Sequence, residues 1–368
     1  MKDFVDKRKK REKNIKLSII LSISLSIIFI FVILYLTVSP ERIREIFEKK
    51  IRYEFFMIAV FLNFLSWCIW GLRLKILSNA TGENVKISWW ESIKIIMANL
   101  FLAGITPSMA GGEPIRVYLL RKKGMSLGGS TAIVLGERGL DAVFLLFCVP
   151  FAFFVFKNRI NMGGAIGTGL TVGVIVFLIV IFLFFYAIKN SEKTKSFLIW
   201  FNKKISRFSK NKEKKNTVID RINSEVDNFH SSMMLFLKQN KSMFILAGFL
   251  TAVMWVCGWL IPSMILMGFG LDSFVVESFA AQVFLIIIVM MPTTPGSSGV
   301  TELGAGGLYS IILGSVNSQV YIGPFVLMFR LITYHMNLVV GAIFMQKIFK
   351  SVASFSMDAI GRYSDKDG

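Results

Sequence analysis

Charge is scarce in this 368-residue chain, where Asp, Glu, Lys and Arg together make up 18% of the residues. A soluble domain of that length keeps more, because its surface must face water. Cysteine is scarcer still. Cys68, Cys148 and Cys257 are odd in number, far apart and set in apolar segments, with no C-x-x-C pair. That argues against a disulfide framework or a zinc site and leaves them as small core residues. Histidine occurs twice, at His230 and His335. No Walker phosphate loop is present, which argues against ATP drive by this chain. No catalytic set, cofactor site or metal site is assigned.

What is abundant is uncharged apolar length. No charge falls between Lys16 and Glu41, between Arg159 and Lys189, or between Lys241 and Asp272. Each run exceeds the roughly 20 residues that a helix needs to cross about 30 Å of hydrocarbon. The chain therefore reads as an integral membrane protein. Its net charge of +19 sits in the N-terminal tail, short connections and one central loop. That is the pattern of Lys and Arg holding loops in the cytoplasm. No recognition motif accompanies the charge, so nucleic acid is not an expected partner.

The expected fold is all-α, with about six full transmembrane helices and two Gly/Pro-broken re-entrant hairpins arranged as inverted repeats. The crossings are about 17–38, 55–74, 126–156, 163–188, 242–267 and 321–348. The first follows the basic tail 1–16 and reads as a retained anchor, being longer than a signal peptide's apolar stretch. The broken regions are about 89–123 and 276–313. The first contains Thr106-Pro107-Ser108-Met109-Ala110-Gly111-Gly112-Glu113-Pro114, the second Thr294-Pro295-Gly296-Ser297-Ser298-Gly299-Val300-Thr301-Glu302. Neither continues a helix, since Pro removes a backbone donor and Gly weakens a helix interior. Broken backbone at membrane depth survives only where protein or water satisfies it.

Charge placement orders these pieces. With the N-terminus inside, Arg73 and Lys75 mark the return to the cytoplasm, and Arg121-Lys122-Lys123 marks a first hairpin dipping from that side. The loop 189–241, with 13 Lys and Arg, is inside, whereas 268–329 has neither and is placed outside with the second hairpin. The C-terminal tail 351–368 returns inside, in the cell membrane. One loop, 39–53, runs against the positive-inside rule with five basic residues. Two oppositely oriented units emerge within a membrane domain of about 50–350, one at about 55–156 and one at about 242–348. Both breaks read Thr-Pro-x-x-x-Gly followed by Glu. Interrupted segments at matching places in inverted repeats point to a transporter site near the midplane. In the central loop, Phe197, Phe201, Ile205 and Phe208, then Val218, Ile222, Val226, Phe229 and Met233, recur at helical spacing among cations. They read either as two amphipathic helices on the inner leaflet or as a topogenic loop.

The segments Gly111 to Leu120 (G-G-E-P-I-R-V-Y-L-L), Gly136 to Asp141 (G-E-R-G-L-D) and Met291 to Glu302 (M-P-T-T-P-G-S-S-G-V-T-E) together resemble the membrane domain of lysylphosphatidylglycerol synthases, a flippase-like family also met as stand-alone membrane proteins. The resemblance covers about 50–350. It implies movement of a lipid across the bilayer and gives no support to lipid synthesis, because the acetyltransferase-like domain that aminoacylates the lipid has no counterpart here. It leaves the lipid open among anionic or aminoacylated phospholipids and polyprenyl-phosphate lipids, and it leaves room for a separate lipid-modifying enzyme as partner.

Charges within membrane segments usually face a cavity or a partner. Those singled out as candidate substrate-binding residues are Glu113, Arg116, Glu137, Arg138 and Asp141 in the first unit, and Glu302 and Arg330 in the second. Arginine forks suit a phosphate, which favours Arg116, Arg138 and Arg330. An amine would favour Glu113 and Glu302. Backbone amides near Gly111-Gly112 and Gly296 to Gly299 offer further donors. Against this stands a purely structural reading, with Arg138–Asp141 or Glu137–Arg330 as buried pairs that pin helices together. His335 beside Arg330 is a candidate proton carrier or a core residue, and Glu91 and Lys94 read as interfacial. The leading function is transport of an amphipathic lipid, and the alternative is an intramembrane transferase using lipid-borne donors, with Glu113, Glu137 or Asp141 as base.

Overall fold

The computed structural model describes residues 51–106, 111–157, 165–190, 240–289, 294, 296–314 and 319–346, with scattered positions between 192 and 234 and the isolated Ser24 and Ile28. The described residues form helices and connections without strands. All of the expected crossing at 17–38 but those two residues, the tails 1–16 and 351–368, and most of the central loop lie outside them. Of the nine apolar positions named in that loop, Val226 alone is described, as a buried helical residue.

Helix α1 runs Tyr53–Asn79, past the expected end at 74. Helix α2, Trp89–Ile105, opens on a capping box in which the Ser88 hydroxyl and the Glu91 carboxylate each bond the other's backbone N–H. It stops at Thr106, whose backbone is extended, because the residue before a proline is driven out of the helical region. Helix α3, Gly112–Lys122, resumes with Pro114 in its first turn, where a missing N–H costs nothing, and ends on Arg121 and Lys122, which suit the negative pole. Helix α4, Leu127–Phe156, is capped by the Ser126 hydroxyl.

Helix α5 is Ala165–Lys189, α6 is Lys241–Gly268, α7 is Val275–Val289 and α8 is Val300–Leu313. Helix α9, Ile322–Gln346, contains one π turn at Leu331–His335. Four of these helices, α1, α4, α6 and α9, are long and apolar enough to cross a membrane. Large apolar side chains point outward along them, among them Phe61, Phe147, Phe154, Ile245, Phe249 and Val339. Such a surface is untenable in water and ordinary in hydrocarbon.

Helices α1 and α6 pack antiparallel. The Arg52 N–H donates to the Gly268 carbonyl (2.9 Å) at one end, and the Asn240 amide donates to the Ala80 carbonyl (2.8 Å) at the other. Around that seam the remaining helices cross over. Helix α2 lies on α9, where a Cβ on Gly341 would stand 2.8 Å from the Met97 carbonyl. Helix α7 lies on α4, with the Phe153 and Phe284 rings edge to face at 5.1 Å. Each short helix pair, α2 with α3 and α7 with α8, also packs on itself. One apolar core gathers α2 with the second halves of α1, α3 and α9 and the start of α4. Another gathers α7, α8 and the first half of α9 with the end of α4.

Candidate functional site

The charged residues of the first unit converge on α4. Glu137 and Asp141 are one turn apart and share a face, while Arg138 is turned toward α3. Arg73, buried within α1, donates from Nε to Glu137 Oε1 (2.9 Å), and from Nη1 to Asp141 Oδ1 (2.6 Å) and Thr251 Oγ1 (2.9 Å). Trp255 Nε1 also donates to Asp141 Oδ1 (3.1 Å). From α3, the fully buried Arg116 contacts the second oxygen of Glu137. Its guanidinium and that of Arg73 lie 5.6 and 5.9 Å from the Trp70 ring centre. Glu113 accepts from Arg138 Nε (2.9 Å) and Nη2 (2.6 Å), and Arg138 Nη1 reaches Asp141 Oδ2 (3.3 Å).

These contacts correct two expectations. Arg73 is not a loop cation marking the end of a crossing. It lies within a helix that continues to Asn79, in the interior of the bundle. Glu137 does not pair with Arg330, since its partners are Arg73 and Arg116. The Arg138–Asp141 pair does form. Three guanidinium groups meet three carboxylates, so the arginines proposed for phosphate are already matched in charge.

A second cluster opens α8. Glu302 Oε1 accepts from Arg330 Nε (2.9 Å), and its Oε2 accepts from the Gly299 N–H (2.7 Å). Arg330 Nη2 reaches Ser298 Oγ (3.2 Å), and its guanidinium carbon lies 3.9 Å from the Tyr334 ring centre. His335 Nδ1 lies 3.1 Å from the Arg330 carbonyl oxygen within the π turn. The Asn63 amide donates to the Ile332 carbonyl of that turn (2.9 Å). Glu91 is paired with Lys123 at an exposed corner, and Lys94 lies near the Trp90 ring.

The two chain breaks touch. The Gly296 N–H donates to the Thr106 carbonyl (3.1 Å), and the Tyr334 hydroxyl donates to the Gly104 carbonyl (3.1 Å). Gly296 has φ +61°, and a Cβ there would stand 2.4 Å from the Gly104 carbonyl oxygen. Only glycine combines that backbone with that approach. Each break is braced by its own threonine. Thr106 Oγ1 accepts from the Gly111 N–H (2.8 Å), and the Thr294 hydroxyl donates to the Ser298 carbonyl. The amides of Gly111, Gly296 and Gly299, expected as free donors, are thereby used by the protein.

The family model described as "Lysylphosphatidylglycerol synthase TM region" matches residues 19–341. The chain belongs to that family. Proteins similar to it are the UPF0104 membrane proteins of three archaea. That of Archaeoglobus fulgidus is 34% identical over 80% of this chain and 87% of its own. That of Methanothermobacter thermautotrophicus is 24% identical over 73% and 78%. That of Pyrococcus horikoshii is 22% identical over 82% and 90%. No solved structure matches.

Within this lysylphosphatidylglycerol synthase TM region, the segments that carried the resemblance fall on the two clusters. Gly111 to Leu120 lies along the start and body of α3, Gly136 to Asp141 is the middle of α4, and Val300 to Glu302 opens α8. Sequence reasoning missed Arg73, Thr251, Trp255 and Tyr334. Arg73 follows an apolar run and precedes Lys75, which is how a span normally ends. No local signal sets it apart.

Proposed function

We propose that this protein moves an amphipathic lipid between leaflets, its headgroup passing through the polar interior while its tails stay in hydrocarbon. The observation that carries the reading is the contact between the two chain breaks, Gly296 to Thr106 and Tyr334 to Gly104, with a buried charge cluster beside each. Non-helical backbone in a membrane protein is tolerated where protein or a water-lined path satisfies it, and paired broken helices at a repeat interface are a transporter's binding place. In this reading α2–α3 and α7–α8 are re-entrant hairpins from opposite faces of the cell membrane. Units 55–156 and 242–348 are inverted repeats, six helices cross, and both termini are cytoplasmic. The antiparallel α1–α6 seam and the reciprocal crossings of α2 on α9 and α7 on α4 support that arrangement. Glu113, Arg116, Glu137, Arg138, Asp141, Glu302 and Arg330 form the polar interior, and alternating access rocks one unit against the other.

The test is translocation of fluorescently tail-labelled lipids in sealed proteoliposomes, comparing phosphatidylethanolamine, phosphatidylglycerol, lysylphosphatidylglycerol and a polyprenyl phosphate. Transport predicts faster loss of inner-leaflet protection for at least one lipid, suppressed by Glu113→Ala and by Glu302→Ala in folded protein. No acceleration with any of the four overturns the reading. Product formation from lipid-linked donors in micelles would then establish a transferase instead.

A further inference from the structure

The groove between α3 and α4 adds a statement about the headgroup, resting on the transport reading above. Of the six charges in the first cluster, the side chains of Arg73, Arg116, Glu137 and Asp141 are all but inaccessible, whereas Glu113 and Arg138 are 36% and 40% exposed. One ion pair can therefore be reached from outside, and its Glu113 lines this groove at one end, with Arg138 in contact behind it. The groove measures about 390 Å3, within the roughly 300–1,000 Å3 of ligand-sized clefts. Glu113, Val117 and Arg121 recur every fourth residue along its α3 wall, and Thr131 and Val134 line its α4 wall. From Glu113 to Arg121 is about 12 Å of helix. Arg121 therefore marks the other end, at the basic terminus of α3, with the half-exposed Tyr118 also in the lining.

A reachable ion pair in an apolar groove restricts what can displace it. Among the described residues Glu113 pairs with Arg138 alone. An anion that captures Arg138 therefore leaves Glu113 without its cation. A cation that captures Glu113 leaves Arg138 on Asp141 Oδ2 alone (3.3 Å), while Arg73 and Trp255 hold Oδ1, and the cluster then carries one cation more than its anions balance. Either change unbalances an otherwise neutral set of three cations and three anions, which disfavours a singly charged ligand. A ligand bearing one amine and one acid replaces both partners at once and strands neither.

We propose that the α3–α4 groove binds a net-neutral aminophospholipid headgroup, with its phosphate on Arg138 and its amine on Glu113, while Arg121 receives the phosphate first at the groove mouth. The acyl chains remain in hydrocarbon beside Val117 and Val134. A headgroup carrying a second amine leaves one cation unmatched and binds less well.

Native mass spectrometry of the full chain in mixed micelles tests this, with phosphatidylethanolamine, phosphatidylglycerol, lysylphosphatidylglycerol and stearylamine supplied in equal amounts. Phosphatidylethanolamine should be the most occupied. Glu113→Gln should shift the ethanolamine-to-glycerol ratio toward phosphatidylglycerol by at least about tenfold, the loss of one charge-assisted bond. Arg138→Gln should shift occupancy the other way, toward stearylamine. A merely structural pair would weaken all lipids alike in both variants. Flat ratios in both single variants, or a wild-type preference for phosphatidylglycerol or lysylphosphatidylglycerol, would overturn the proposal. Flat ratios with translocation intact would remove this inference and leave transport standing. Shifted ratios without translocation would do the reverse.

Discussion

At the scale of residues, the positions of the charges in the first cluster set unlike roles for chemically similar groups. Arg73 is wholly buried and serves two carboxylates and a hydroxyl. Removing its charge leaves Glu137 with Arg116, and Asp141 with the more distant Arg138. Breaking a buried pair from one side costs roughly 3–5 kcal/mol, whereas an exposed pair contributes about 0–1 kcal/mol. Arg73→Gln should therefore lower unfolding stability in detergent by about 3–5 kcal/mol. Glu113→Gln should lower it by no more than about 1 kcal/mol and act instead on lipid movement. Denaturant unfolding of the two purified variants beside wild type measures both. Equal losses would mean that the partial exposure of Glu113 does not distinguish it.

At the scale of elements, the proline breaks set the helix lengths. Helices of 17 and 11 residues on either side of the first break, and of 15 and 14 around the second, are each shorter than a full crossing. Each pair folds back on itself. If both pairs are hairpins, their flanking residues report it. In a background with Cys68, Cys148 and Cys257 replaced, Lys86→Cys and Lys123→Cys should react with an impermeant maleimide from one membrane face. Asp272→Cys and Gln319→Cys should react from the opposite face. Reaction of Lys86→Cys and Lys123→Cys from different faces would make α2–α3 a crossing.

At the scale of the whole molecule, charge balance is the property that bears on energetics. The first cluster holds three cations and three anions, and the second adds Arg330 with Glu302. A net-neutral headgroup moving through such an interior carries no net charge across the field. One uncompensated charge feels about 2.3 kcal/mol per 100 mV, enough to bias distribution by roughly fiftyfold. Translocation of phosphatidylethanolamine in proteoliposomes should thus be indifferent to an imposed potassium-diffusion potential of about 100 mV. A rate or distribution that follows the potential would mean that a charge moves with the lipid.

The uncharged runs by themselves determined that the chain lives in a membrane, because the cost of burying charge in hydrocarbon leaves its mark on every span. Thr106-Pro107 and Thr294-Pro295 likewise located the helix breaks, since proline acts on its immediate neighbours. The spacing of Glu137, Arg138 and Asp141 placed a charged face on one helix. Partners were another matter. Arg73 is 64 residues from Glu137 in sequence, and Tyr334 is 230 from Gly104. Nothing local links either pair. An ion pair or a carbonyl contact between distant helices depends on how those helices pack, so the tertiary structure alone decided that Arg73 completes the first cluster, that the breaks abut, and that Glu113, paired with Arg138, lines the groove.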